Sequence, residues 1–138
     1  MLVHFLKIRK YSLKIAWSFT VAIVILSLIP SNSLPKLNFK DLVGIDKLGH
    51  LFFYGNACFF FLLGRSSKIY GVHLFLSTCI PLVGLGLLME LFQAAMLLGR
   101  NFDYFDMLAN TLGVILAIAL FRFYNSSFPE NQENPKQL

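Results

Sequence analysis

Charge is what this chain has least of. Asp, Glu, Lys and Arg make up 14% of its 138 residues, where a soluble domain carries about a quarter. With 57% of residues hydrophobic, that shortage excludes an ordinary soluble fold. Cysteine is nearly absent. Cys58 and Cys79 both lie in apolar runs with no CxxC spacing, which excludes a disulfide scaffold and a thiolate metal site; both are expected to be small buried hydrophobes without a disulfide. Strand-like alternation is missing, and so is any internal repeat, which argues against a β-barrel. Nucleic-acid motifs are missing too. The net charge of +5 belongs mostly to Lys and Arg flanking apolar runs, a topogenic pattern rather than a nucleic-acid surface.

What is present is a series of apolar runs separated by short charged or Pro-bearing blocks. The pattern predicts an all-α membrane protein with four transmembrane helices in a compact bundle. Residues 1–14 form a basic flank, 15–123 the helical domain and 124–138 a polar, disordered tail. The expected spans are Ile15–Ile29, Asp46–Leu63, Val72–Leu98 and Phe105–Phe123. Pro30–Ile45 is expected as a loop, with Leu37, Phe39 and Leu42 on the membrane surface, and Gly99–Tyr104 as a turn. A signal peptide would share the basic start, and Ser31-Asn32-Ser33 could pass for a cleavage site. Retention is expected, because the remaining bundle can use the first helix. Pro81 has no N–H for the Ser77 carbonyl and should kink the third span. Ala109, Gly113 and Ala117 make a small-residue ridge suited to close helix packing.

With the N-terminus inside, eight Lys or Arg lie inside (Lys7, Arg9, Lys10, Lys14, Arg65, Lys68, Arg122, Lys136) and four outside (Lys36, Lys40, Lys47, Arg100). The bias puts both termini in the cytoplasm. It also puts three polar groups at the outer ends of three helices: Asp46, Lys47, His50 and Tyr54; Glu90, Gln93 and Arg100; Asp106 and Asn110. Each set follows a helical stripe. Ionisable groups at membrane depth are costly and mark functional sites by default. The inner halves carry almost no polar residues beyond the flanks.

The text at these positions is D-K-x-x-H-x-x-x-Y at Asp46, Lys47, His50 and Tyr54, then E-x-x-Q at Glu90 and Gln93. Last comes G-R followed by D-x-x-x-N-T-x-G, at Gly99, Arg100, Asp106, Asn110, Thr111 and Gly113. In this order and at these span ends, the chain resembles the VanZ-like family of small bacterial membrane proteins over about residues 13–123. The family takes its name from a protein linked to resistance against glycopeptides, teicoplanin in particular. The resemblance therefore implies a bacterial cell-envelope role in the inner membrane. It supplies no reaction.

Three readings of the polar residues follow. The favoured one is an outward-facing pocket for an anionic envelope lipid or lipid-linked cell-wall precursor, held by Lys47, Arg100 and a protonated His50 and oriented by Gln93, Asn110 and Tyr54. The second is an acid/base enzyme on such a precursor, with His50, Glu90 and Asp106 as catalytic candidates. No nucleophile stands near except Thr111, so activated water would be needed, and the balance leans against an enzyme. The third is structural: polar side chains holding helices together, with Asp46–Lys47 and Asp106–Arg100 as interfacial pairs. A metal site from Asp46, His50, Glu90 and Asp106 is not expected, because one His is thin for zinc and two cations stand close by. No cofactor is expected.

Overall fold

The computed structural model describes residues 2–29, 39–66, 71–96 and 102–127. They form four helices: α1 Leu2–Ser27, α2 Phe39–Arg65, α3 Gly71–Ala95 and α4 Tyr104–Ser127. Helix is the only regular structure among them. Three boundaries differ from expectation. The basic flank is helical and continuous with α1, since Lys and Arg are good helix formers. Residues 39–45, expected as loop, are the first turns of α2. Residues 124–127, assigned to the tail, close α4; the rest of the tail and residues 30–38 lie outside the described residues.

Among the described residues, three helices are long and apolar enough to cross a membrane: Arg9–Ser27, Gly71–Ala95 and Tyr104–Ser126. Four were expected. The helix that falls short is α2, whose apolar run is diluted by Asp46, Lys47, His50, Asn56 and Arg65. The reason lies in its position. α2 is central and touches all three other helices, and Tyr54, Ala57, Cys58, Leu62 and Leu63 on it are buried. A helix screened by neighbours can keep polar side chains that a lipid-facing helix cannot. The outer surface of the bundle is apolar: Trp17, Val72, Ile80, Phe105 and Phe123 are exposed, while Glu90, Gln93, Asp106 and Asn110 are buried. A soluble domain sorts its residues the other way.

α2 and α4 run side by side in the same direction and approach closest at two glycines. A Cβ on Gly113 would stand 2.5 Å from the Leu51 carbonyl oxygen, and one on Gly55 3.2 Å from that of Gly113. The small-residue ridge is therefore the seam of the bundle, with Ala109 and Ala117 also buried. α1 packs on the other side of α2. Gly64 admits the Leu13 side chain, and Phe19 sits among Phe52, Phe53 and Phe60. α3 continues through Pro81. The Ser77 carbonyl that Pro81 leaves open accepts from the Arg65 guanidinium at 2.7 Å. Arg65 also donates to Thr78 Oγ1 at 3.0 Å and Ser77 Oγ at 2.9 Å. Freed backbone groups at membrane depth must find such partners. This end of the bundle is thus more polar than expected, with Ser12 and Thr78 buried and Arg9 bonded to Ser66 at 3.1 Å.

Candidate functional site

Because α2 and α4 start at the same end of the bundle and α3 finishes there, the three expected polar groups meet. Asp46, Lys47, His50 and Tyr54 come from α2, Glu90 and Gln93 from α3, Asp106 and Asn110 from α4. Tyr54, Glu90 and Asn110 are between 0% and 2% exposed, and Asp106 is 6% exposed. The three groups form a cluster whose accessible rim lies at Asp46 and Asp103, with side chains 38% and 39% exposed.

Asp103 is the residue the sequence reading missed. It caps α4: Oδ1 accepts from the Phe105 N–H at 2.7 Å, and its carbonyl accepts from Asp106 and Met107. An Asp just before an apolar helical run is a cap signature, so the signal was present in the turn. Its other oxygen, Oδ2, accepts from Lys47 Nζ at 2.7 Å, and the same ammonium donates to Asp106 Oδ1 at 2.7 Å. Lys47 holds the Asp103 carboxyl below its usual range, and the Phe105 N–H acts in the same direction. Arg100 lies outside the described residues.

His50 stands at the centre. Its Nδ1 is 2.9 Å from Asn110 Oδ1. With a carbonyl oxygen accepting there, Nδ1 carries a proton. Nε2 then faces Asp106 Oδ2 at 3.9 Å and Asp46 Oδ1 at 4.0 Å. The ring stacks on Tyr54 below it, 6.3 Å between centroids and 13° between planes. Glu90 Oε2 accepts the Asp103 N–H at 3.2 Å, which ties α3 to the start of α4. Glu90 Oε1, Tyr54 Oη and Asn110 Nδ2 are buried with no hydrogen-bond partner among the described residues. Gly86 leaves room beside them: a Cβ there would stand 2.9 Å from Asn110 Nδ2 and 3.5 Å from Tyr54 Cε1.

Gln93 does not join this cluster. Its amide donates to the Ser27 carbonyl at 2.9 Å and satisfies the last turn of α1. Asn56 bonds back to the Phe52 carbonyl at 2.8 Å. Deeper in the bundle the thiols of Cys58 and Cys79 lie 3.9 Å apart. A groove of about 530 Å³ runs between α2 and α4, lined by Phe52, Phe59, Leu116, Leu120 and Phe123. It is apolar and separate from the polar cluster.

The model of one family, VanZ/LLP1, matches residues 1–125. The chain belongs to that family. No curated protein and no solved structure matches it. The residues that carried the resemblance to the VanZ-like family are, apart from Gln93, Thr111 and the undescribed Gly99 and Arg100, the ones packed around His50 and the Gly113 seam. Four of the chain's seven acids (Asp46, Glu90, Asp103, Asp106) gather there, against Lys47 and the imidazole. Among the described residues, nothing of that kind surrounds the Arg65 network at the opposite end.

Proposed function

We propose that this VanZ/LLP1 protein is a multi-pass protein of the bacterial inner membrane that acts in the cell envelope. The His50 cluster is its working site, set at the outer headgroup level, and it engages the headgroup of a lipid-linked cell-wall precursor or an anionic envelope lipid. In this reading α2 crosses the bilayer with the others, because it accompanies α4 from Lys47 beside Asp106 to Phe59 beside Tyr124. Four crossings put both termini in the cytoplasm. Altered sensitivity to a glycopeptide that targets such precursors is the expected physiological readout.

The observation that carries the proposal is Glu90. It is 0% exposed, on a helix apolar enough to span a membrane, and one oxygen has no partner among the described residues. A Leu or Met would pack there at far lower cost, and helix glue does not require an orphan oxygen. The test is a pair of conservative substitutions, His50→Gln and Glu90→Gln, scored for protein level and for glycopeptide sensitivity. Normal accumulation with lost phenotype supports a working site. Failure to accumulate, with wild-type behaviour of whatever protein remains, supports the structural role instead.

A second reading, acid/base catalysis on the same precursor, is favoured by one contact. Asn110 fixes the His50 ring from one nitrogen while the other points at two carboxylates toward the accessible rim. Such orientation of an imidazole by a third group is what proton transfer needs. Purified protein mixed with envelope lipids forms a new product under this reading and only a stoichiometric complex under the first.

A further inference from the structure

The cluster is short of positive charge for a site that meets phosphate. Among the described residues it holds four carboxylates, and Lys47 is bonded to two of them. An anionic headgroup approaching this rim would meet net negative charge. Something with at least two positive charges has to intervene if the reading above holds, and the geometry around His50 is suited to that.

We propose that Asp46, His50 and Asp106 bind a divalent cation, through which the site takes a phosphate-bearing headgroup. Each of the three offers one ligand atom, and these atoms lie within 4.8 Å of one another. His50 Nε2 is 4.0 Å from Asp46 Oδ1 and 3.9 Å from Asp106 Oδ2. Ligands at about 2.1 Å from an ion stand roughly 3–3.5 Å apart, so closure takes about 1 Å of side-chain movement.

Three independent features point to an ion rather than to a chance gathering of acids. The first is the anchoring of His50. Asn110 Oδ1 accepts from Nδ1, which turns Nε2 toward the two carboxylates. A carbonyl holding the far nitrogen is the usual outer partner of a metal-bound His. The second is Glu90. It is fully buried, and its Oε1 has no partner among the described residues. The third is how Asp106 is shared. Lys47 takes Oδ1 at 2.7 Å, and Oδ2 is the oxygen that faces His50.

The ligand set, two carboxylates and one imidazole, suits a hard to borderline ion such as Mg²⁺, Mn²⁺ or Zn²⁺. Three protein ligands leave coordination positions for water or a phosphate oxygen. These open toward Asp46, whose side chain is 38% exposed. The nearby Lys47 ammonium lowers affinity for the free ion. It also makes a site that gains more from an ion carrying an anionic ligand than from the ion alone.

The inference rests on the cluster being the working site, but ion binding is measured without any lipid. Full-length protein in detergent is titrated with Mn²⁺ alone and followed by the loss of the free-ion electron paramagnetic resonance signal. About one ion per chain is expected, with imidazole nitrogen coupling in the pulsed spectrum. Asp46→Asn should weaken binding about tenfold or more, and His50→Gln should remove the nitrogen coupling. Gly84→Ala, at a position with open space, should bind as the wild type does. No bound Mn²⁺ at millimolar concentration, or binding indifferent to both Asp46→Asn and His50→Gln, overturns the proposal. If His50→Gln abolishes the cellular phenotype while wild type binds no ion, the working site stands and the ion does not. If wild type binds the ion but Asp46→Asn, having lost it, keeps full phenotype, the ion site stands and the headgroup role fails.

Discussion

Arg65 on α2 donates to the Ser77 carbonyl on α3 at 2.7 Å, the backbone acceptor for which Pro81 has no N–H to offer. The two helices are tied at the point where α3 would otherwise be weakest. Replacing Arg65 by Ala should leave that carbonyl orphaned in an apolar surround, at a cost of about 1–3 kcal/mol. Pro81→Ala restores an in-helix N–H, so the same Arg65→Ala change should cost less in that background. A double-mutant cycle on detergent-solubilised protein, followed by thermal unfolding, measures the difference. A coupling of about 1 kcal/mol is expected. Additivity would mean that the guanidinium does not serve the Pro81 gap.

The α2–α4 seam makes a sharper steric prediction. A methyl on Gly113 would sit 2.5 Å from the Leu51 carbonyl oxygen, which is backbone and cannot swing away, whereas one on Gly84 meets nothing within 4 Å. Gly113→Ala should therefore force the helices apart and destabilise by about 1–3 kcal/mol. Gly84→Ala should be neutral or stabilising by up to about 1 kcal/mol, through the lower flexibility of Ala in a helix. Melting temperatures of the two purified variants, measured side by side, check the contrast.

These relationships show what could be read from the residues alone. The Gly113 ridge, the stripe from Asp46 to Tyr54 and the meeting of Glu90 with Asn110 all follow from helical spacing and alternating direction. Both are properties of the sequence order, and the structure agrees with them. Arg65 was read as a flanking cation, because nothing in its own neighbourhood announces a missing hydrogen bond on another helix. Gln93 shares a stripe with Glu90, yet its amide turns to the end of α1. Spacing specifies a face but not which of two neighbours that face meets. Asp103 was hidden by being assigned to a turn, though its role as a cap is written in its position before Tyr104. Of the four helices expected to be apolar enough to cross, α2 falls short for a related reason: hydropathy measures contact with lipid, and α2 is largely shielded from it.

The two carboxylates on Lys47 should respond differently to loss of their partner. Asp103 is 39% exposed at its side chain and Asp106 only 8%. Removing the exposed acid, Asp103→Asn, should cost less than about 1 kcal/mol. Removing the shared cation, Lys47→Met, strands Asp106 in the interior and should cost about 2–3 kcal/mol, below the roughly 3–5 of a fully buried pair because Lys47 is itself partly open. The pH dependence has a definite sign. The Asp103 carboxyl is held below its ordinary value of 3.8 by Lys47. Its stabilising contribution is full above that value and is lost as pH falls through the lower folded-state one. Wild type should thus lose stability below about pH 4 more steeply than Asp103→Asn. Unfolding midpoints of both across the acid range would show parallel curves if the Lys47–Asp103 pair contributes nothing.

Gln93 separates helix glue from working site within one helix. It lies three residues from Glu90, is 3% exposed, and spends its amide on the Ser27 carbonyl at 2.9 Å. Gln93→Leu keeps the volume and apolar fit but orphans that carbonyl, so about 1–3 kcal/mol of stability should go and the steady-state protein level should fall. Activity per molecule should not change, because the side chain does not reach His50. Glu90→Gln should behave in the opposite way, accumulating normally while losing the phenotype, since the amide keeps an acceptor for the Asp103 N–H. The check is immunoblotting with glycopeptide sensitivity at matched expression. A Gln93→Leu protein that accumulates fully yet is inactive would move Gln93 back into the site, and the α1–α3 tie would then be the lesser part of its role.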